Sequence, residues 1–232
     1  MTKIAVRIQH HPSRVAHLQY LLTGLEGQQN DFDFKIIEST EGTWDGCKKC
    51  LKSGLRSGCE YVLVLQDDIL PCRDFLYTVQ KIADRRPYYP ITFFTNSPSQ
   101  EFAETNNYRW VRLRVWFMAQ AYLFPTNMIE DFFDWTEAHA KPELVDDERL
   151  ALYVHKKNIP VLATVPSLVE HLGWRTTTIG GRNSKAYTMI ARRVANSFIG
   201  FEKSGLDINW SEVRTFDDMN DNPSIFTRWY KE

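Results

Sequence analysis

Apolar residues along this chain recur with two different periods, and the alternation between them outlines the fold. From Lys3 to Gln9 they fall at every second position (Ile4, Val6, Ile8), the pattern of a strand. His10-His11-Pro12-Ser13-Arg14 breaks it as a loop, and Val15, Leu18, Leu21, Leu22 and Leu25 then recur at helical spacing. Phe34 to Ile37 predicts a short strand, and Asp45 to Arg56 a helix stopped by Gly58. Glu60 to Gln66 is nearly continuously apolar, as in a strand buried on both faces. Further helices are predicted over Arg73–Arg85, Asn127–Ala138 and Asp146–Lys157, with strands over Tyr89–Phe94, Arg109–Arg114, Trp116–Phe124 and Val161–Val165. Thr95 to Asn107 has no period and reads as a loop. Beyond about 185 the chain reads as helix followed by an irregular acidic tail. Strands alternating with helices predict an α/β fold with a mixed central sheet flanked by helices.

Composition narrows the class. The 232 residues are 43% apolar and 25% charged, enough for a real core in one domain and too ordered for a disulfide scaffold or a disordered chain. Lys plus Arg number 28 against 29 Asp plus Glu, so bulk attraction to nucleic acid or an anionic membrane is excluded and any such contact is local. The apolar runs reach about five residues against the roughly 20 needed to span a bilayer. The N-terminus has no apolar leader block, and the expected location is the cytoplasm. Cys47, Cys50, Cys59 and Cys72 lack the spacing of a zinc ribbon and read as structural or incidental thiols, reduced in that compartment.

Three segments could carry chemistry. Gln66-Asp67-Asp68 ends the most buried strand, where open α/β sheets bind ligands. Two adjacent carboxylates repel unless a cation or donors relieve them, and Mg²⁺ or Mn²⁺ on phosphate oxygens would do so. The bland alternative is a solvated turn capping the next helix. Val165 to His171 ends in an imidazole that could complete a metal site, and the following loop, with Arg175, Thr176 and Arg182, suits phosphate. Asp146-Asp147-Glu148 opens a helix. Such acids ordinarily serve the helix dipole, but one could act as a carboxylate general base.

Together these segments resemble the GT-A glycosyltransferases, in which an acidic "DxD" motif at a central strand end meets a carboxylate base and, in many members, a late His. The resemblance runs from Lys3 to about Arg182 and departs at Gln66, where the motif's first acid is expected. It implies a single domain, residues 1–232: a nucleotide-sugar half to about residue 100, an acceptor and metal-completing half to about 185, and a C-terminal extension. It further implies a UDP-sugar donor with Mn²⁺ or Mg²⁺ held by Asp68 and His171. Asp147 is then the first candidate for the base and Asp146 the second, with inversion at the sugar carbon. Arg7, His10 and Arg14 are expected to face the nucleotide, with Glu38 and Trp44 near base or sugar and Gln66 and Asp67 at ribose or sugar. Trp44 could equally be packing at the helix entry.

Basic residues cluster locally, at Tyr108-Arg109-Trp110-Val111-Arg112-Leu113-Arg114 and from Arg175 to Lys203. Such patches can hold phosphates of the donor or of DNA, although solvated faces are commoner. The chain also looks like the compact glycosyltransferases of bacteriophages, some of which modify hydroxymethylated pyrimidines in DNA, which makes DNA an acceptor to consider beside a glycan or small molecule. Two other readings compete: a metal-dependent nuclease built on Asp67, Asp68 and Asp147, and a non-catalytic DNA-binding module. A phosphoacceptor receiver domain is disfavoured, because it places its acids after the first strand, where this chain has Gln9-His10-His11-Pro12.

Overall fold

The computed structural model describes residues 1–85, 88–114, 116, 119–172, 195, 197–212 and 214–218. In chain order its regular elements are β1 (Ile4–His10), α1 (Val15–Gly24), β2 (Asp33–Glu38), α2 (Thr43–Leu55), β3 (Tyr61–Gln66), β4 (Ile69–Pro71), α3 (Phe75–Ala83), β5 (Ile91–Thr92), α4 (Pro98–Thr105), β6 (Trp110–Leu113), β7 (Ala121–Pro125), α5 (Ile129–His139), α6 (Asp146–Lys156), β8 (Val161–Thr164), β9 (Val169–His171) and β10 (Thr215–Asp217). The fold is α/β. Eight strands form one mixed sheet in the order β10-β6-β8-β5-β7-β3-β1-β2, and β4 and β9 make a small antiparallel sheet of their own.

The apolar run of β3 earns its place at the centre. It lies between parallel β1 and antiparallel β7, and every residue from Tyr61 to Leu65 is buried. Its odd and even side chains supply two different cores. Leu63 and Leu65 join Val6, Ile8, Leu21 and the buried face of α3 (Phe75, Leu76, Val79, Ile82) on one side. Val62 and Val64 join Cys47, Cys50, Leu51, Tyr122, Phe132 and Tyr153, from α2, α5, α6 and β7, on the other. Helix α2 lies unusually close to the sheet, which explains two of its glycines. A Cβ at Gly54 would come within 2.2 Å of Val62, and one at Gly46 within 2.9 Å of the Gln9 side chain.

Most predicted elements are present with shifted ends, and the differences have causes. The segment 95–107, expected to be a loop, contains α4: Ser97 accepts the Ser99 N–H at 3.2 Å as a cap and Pro98 opens the first turn. The strand expected over Trp116–Phe124 is only Ala121–Pro125, because Trp116 turns in to pack on the Tyr122 ring at 5.3 Å. The two short strands β4 and β9 had no periodic signal, being three residues each. The two halves expected from the sequence interleave, since β7 inserts between β3 and β5 of a single sheet. The helix expected just beyond 185 lies outside the described residues. Among the described residues no helix is long and apolar enough to cross a membrane.

Candidate active site

Parallel pairing of β1 with β3 sets Gln9 opposite Gln66, so the two strands deliver His10 and Asp67 side by side at their C-terminal ends. The Asp67 N–H donates to the Gln9 carbonyl at 3.2 Å, carrying the ladder one step past the sheet. Alternation then sorts the side chains: Gln9 and Gln66 fall on the α2 face, His10 and Asp67 on the α1 face.

On the α1 face the two acids are buried, Asp67 1% and Asp68 2% exposed, so both need partners. Asp67 Oδ2 faces His10 Nδ1 at 2.8 Å and accepts the His11 N–H at 2.9 Å, and Oδ1 accepts from Arg14 at 3.0 Å. Asp67 therefore holds the exit loop of β1 in place, rather than presenting a free carboxylate to ribose or sugar. The same Arg14 nitrogen donates to Asp68 Oδ2 at 2.8 Å. The acid pair is thus relieved by a resident guanidinium and an imidazole as well as by backbone N–H donation.

Asp68 meets His171 through the small sheet. Antiparallel β4 and β9 pair Ile69 with His171, and the flanking bonds from Leu172 N–H to Asp68 O (2.7 Å) and Cys72 N–H to Leu168 O (2.8 Å) lock that register. His171 Nε2 consequently lies 3.3 Å from Asp68 Oδ2, with its ring against Phe94. Asp68 Oδ1 is buried and has no hydrogen-bond partner. Burial alone would raise the Asp68 carboxyl, but the hydrogen bond and charge of His171, with Arg14 and His17, outweigh it and hold the group below the ordinary carboxylate range.

On the α2 face a second polar group forms around Asp146, the first residue of α6. Its carboxyl is 1% exposed and its Oδ2 lacks a partner. Burial pushes its pKa up, opposed in part by Thr43, by backbone N–H groups and by Gln9. Gln9 itself donates to the Thr43 carbonyl at 3.0 Å, and Gln120 joins the row because Gln66 N–H donates to its carbonyl at 2.8 Å. The side-chain oxygens of Gln9, Thr43 and Gln120 are all buried without partners. Gln120 and Thr43 were not singled out from the sequence; the signal was the alignment of glutamines that the strand register creates. Asp147, by contrast, accepts the Glu148 N–H at 2.8 Å, and Glu148 accepts the Val145 N–H at 3.1 Å, so both serve the helix start.

Other predicted residues separate from the site. Arg7 is fully buried, and all five of its donor positions are spent on Val6 O, Asp33 and Ser53, riveting β1 to the start of β2 and the end of α2. It is a structural residue, not one facing a nucleotide. Trp44 packs edge-on against Phe132 and Phe133 and under the Arg149 guanidinium at 4.6 Å, the packing alternative. Glu38 is exposed at the same sheet edge, opposite His10, and Gln66 is half-buried there. Arg175, Thr176 and Arg182 lie outside the described residues. Cys47, Cys50 and Cys72 are buried free thiols, Cys72 pushed up to about 12 by burial. A nuclease would need Asp67, Asp68 and Asp147 about shared ions; among the described residues no three His, Cys, Asp or Glu side chains gather as such a site. Arg112, from the basic segment, is paired to Asp217 through two hydrogen bonds of 2.6 and 2.7 Å.

No family model matches the sequence, and no curated protein matches it. Solved structures similar to it include the A197 protein from STIV (13% identity over 75% of this chain and 86% of that one, TM-score 0.45). The S. aureus TarS 1–349 fragment is similar at 12% identity over 74% of this chain, with a TM-score of 0.47; the match spans 60% of that fragment. A third is a Drosophila β-1,4-galactosyltransferase 7 mutant, solved with manganese, UDP-Gal and xylobiose (10% identity over 90% of this chain and 84% of that one, TM-score 0.45).

Proposed function

We propose that the protein is a GT-A-type glycosyltransferase, moving a sugar from a nucleoside diphosphate sugar, UDP-sugar by preference, to an acceptor hydroxyl. The observation that carries this reading is the meeting of Asp68, in the turn between β3 and β4, with His171 of β9, far apart in the sequence, at the C-terminal edge of the central strands. The unpartnered Asp68 Oδ1 is a hard oxygen donor and His171 an imidazole donor, a pair that fits Mn²⁺ or Mg²⁺ when donor phosphate oxygens and water complete the shell. When bound, such an ion neutralises charge developing on the leaving diphosphate.

The protein's own part is to bind, orient and take a proton. Asp68, His171 and Arg14 lie together, and we assign the donor's diphosphate to them. We place the general base on Asp146 rather than Asp147, because Asp147 is occupied in capping its helix whereas Asp146 has a raised pKa and an oxygen without a partner. Gln9 and Thr43 oppose the rise in its pKa. In-line attack by the deprotonated hydroxyl inverts the sugar carbon.

DNA as the acceptor rests on the basic segments, and of these Arg112 is engaged with Asp217 while the run from Arg175 to Arg193 lies outside the described residues. Incubation with a panel of UDP-, GDP- and CDP-sugars and Mn²⁺, with release of nucleoside diphosphate as the readout, tests the reading. Release from one donor class identifies the donor, and its stimulation by hydroxymethylated DNA or by a glycan identifies the acceptor class. No release from any donor contradicts a transferase.

A further inference from the structure

We infer that Arg14 is a resident counter-ion competing with the divalent cation for Asp68, so that metal enters the site only together with the donor's diphosphate. The inference rests on the metal reading above and goes beyond it by assigning the order in which the site is filled.

The geometry sets up the competition. One Arg14 nitrogen lies 2.8 Å from Asp68 Oδ2 and 3.0 Å from Asp67 Oδ1, while His171 Nε2 lies 3.3 Å from the same Asp68 oxygen. The Arg14, Asp68 and His171 side chains are 9%, 3% and 8% exposed, so water screens little of what passes between them. A divalent ion sits about 2 Å from a carboxylate oxygen. With Arg14 still in place, it would lie a few ångströms from a second cation that cannot lose its proton. His171 would also have to offer its nitrogen to the ion instead of facing Asp68. Metal alone on the unpartnered Oδ1 is therefore opposed by the Arg14 charge, and metal that also takes Oδ2 has to displace Arg14.

Asp67 is prepared for that displacement. His10 and the His11 N–H continue to hold its carboxylate when the guanidinium leaves, so Arg14 can depart without stranding a buried, unpaired acid. A diphosphate is the natural destination, since guanidinium binds phosphate oxygens through paired donors. The donor thus draws Arg14 from Asp68 and brings the oxygens that complete the metal shell. Each ligand then raises the affinity of the other by the same factor.

Mn²⁺ binding to the full chain, measured by electron paramagnetic resonance with and without UDP, tests this in wild type, Arg14→Met, Arg14→Lys and Asp68→Asn. Wild type is expected to bind Mn²⁺ alone weakly and to gain about tenfold or more in affinity with UDP. Arg14→Met is expected to bind Mn²⁺ alone about tenfold or more tightly than wild type, with the UDP effect largely gone. Arg14→Lys keeps the charge and is expected to retain weak binding of metal alone, which separates competition from damage to the fold. Equal binding of Mn²⁺ alone by wild type and Arg14→Met overturns the inference while leaving the metal site standing. Mn²⁺ binding that is absent everywhere, or unaffected by Asp68→Asn, removes the metal reading and this inference with it.

Discussion

His171 Nε2 stands 3.3 Å from Asp68 Oδ2 because a three-residue ladder sets Ile69 directly opposite His171. A contact between groups so far apart in the chain is therefore written in backbone register. Pro71, paired with Val169, ends that ladder on the other side.

If these two side chains form one metal-binding unit, removing either should have the same consequence. Asp68→Asn and His171→Gln are each expected to lose Mn²⁺-dependent binding of UDP by about a hundredfold while remaining folded. Isothermal titration of UDP in the presence of Mn²⁺ checks this. Wild-type affinity in either variant would separate the pair from donor binding.

The two buried acids should respond to pH in opposite senses. Asp68 has a lowered pKa in the folded protein, so its contribution to stability is present above the ordinary carboxylate range and is lost as pH falls through its folded value. Asp146 has a raised pKa, so the folded state holds its proton more tightly and the protein loses stability as pH rises from the ordinary range through the folded value. Asp68→Asn should therefore flatten the acid limb of the stability profile, and Asp146→Asn should raise the urea midpoint near neutral pH. Asp146→Asn is also expected to reduce turnover by about a thousandfold with donor binding intact, whereas Asp147→Asn, which keeps the oxygen that accepts the Glu148 N–H, should cost little stability and little activity. The reverse ranking of the two variants would move the base to Asp147.

Much of this architecture could be read from the chain, and the parts that could not have physical reasons. The apolar run of β3 and the periodicities of α2 and α5 are strong because they reflect burial on a fixed face. The approach of Asp68 and His171 could be named only through resemblance, since β4 and β9 are too short to show a period. Arg7 is expected at the nucleotide only because the resemblance sets the first strand and its exit loop there, and it stands in the middle of β1. Only the fold reveals that its guanidinium turns toward Asp33 and Ser53. The Gln9, Gln66 and Gln120 row was invisible for a related reason: each is unremarkable alone, and the β1–β3–β7 register assembles them.

Arg7 offers a test of that correction. Arg7→Leu leaves Asp33 and the Ser53 hydroxyl without their partner and is expected to destabilise the protein by about 2–4 kcal/mol in urea unfolding. Below the unfolding transition its affinity for UDP should stay within about twofold of wild type. A selective loss of nucleotide binding would return Arg7 to the site.

Close packing of α2 on the sheet gives a purely structural expectation. In Gly54→Ala the new methyl would meet Val62 at 2.2 Å, so the helix must lift, at a cost of about 1–3 kcal/mol. Chemical unfolding checks it, and Gly58→Ala, where the backbone φ is 69°, supplies the contrast of strain without crowding.

Thermal unfolding with UDP, GDP and CDP, each with and without Mn²⁺, decides whether Asp68 and His171 form a donor site that depends on a divalent cation. One nucleoside diphosphate, UDP first, should raise the melting temperature only when Mn²⁺ is present, and Asp68→Asn should abolish the rise. A melting temperature unmoved by every nucleotide and metal combination, or an equal rise in Asp68→Asn, would contradict it.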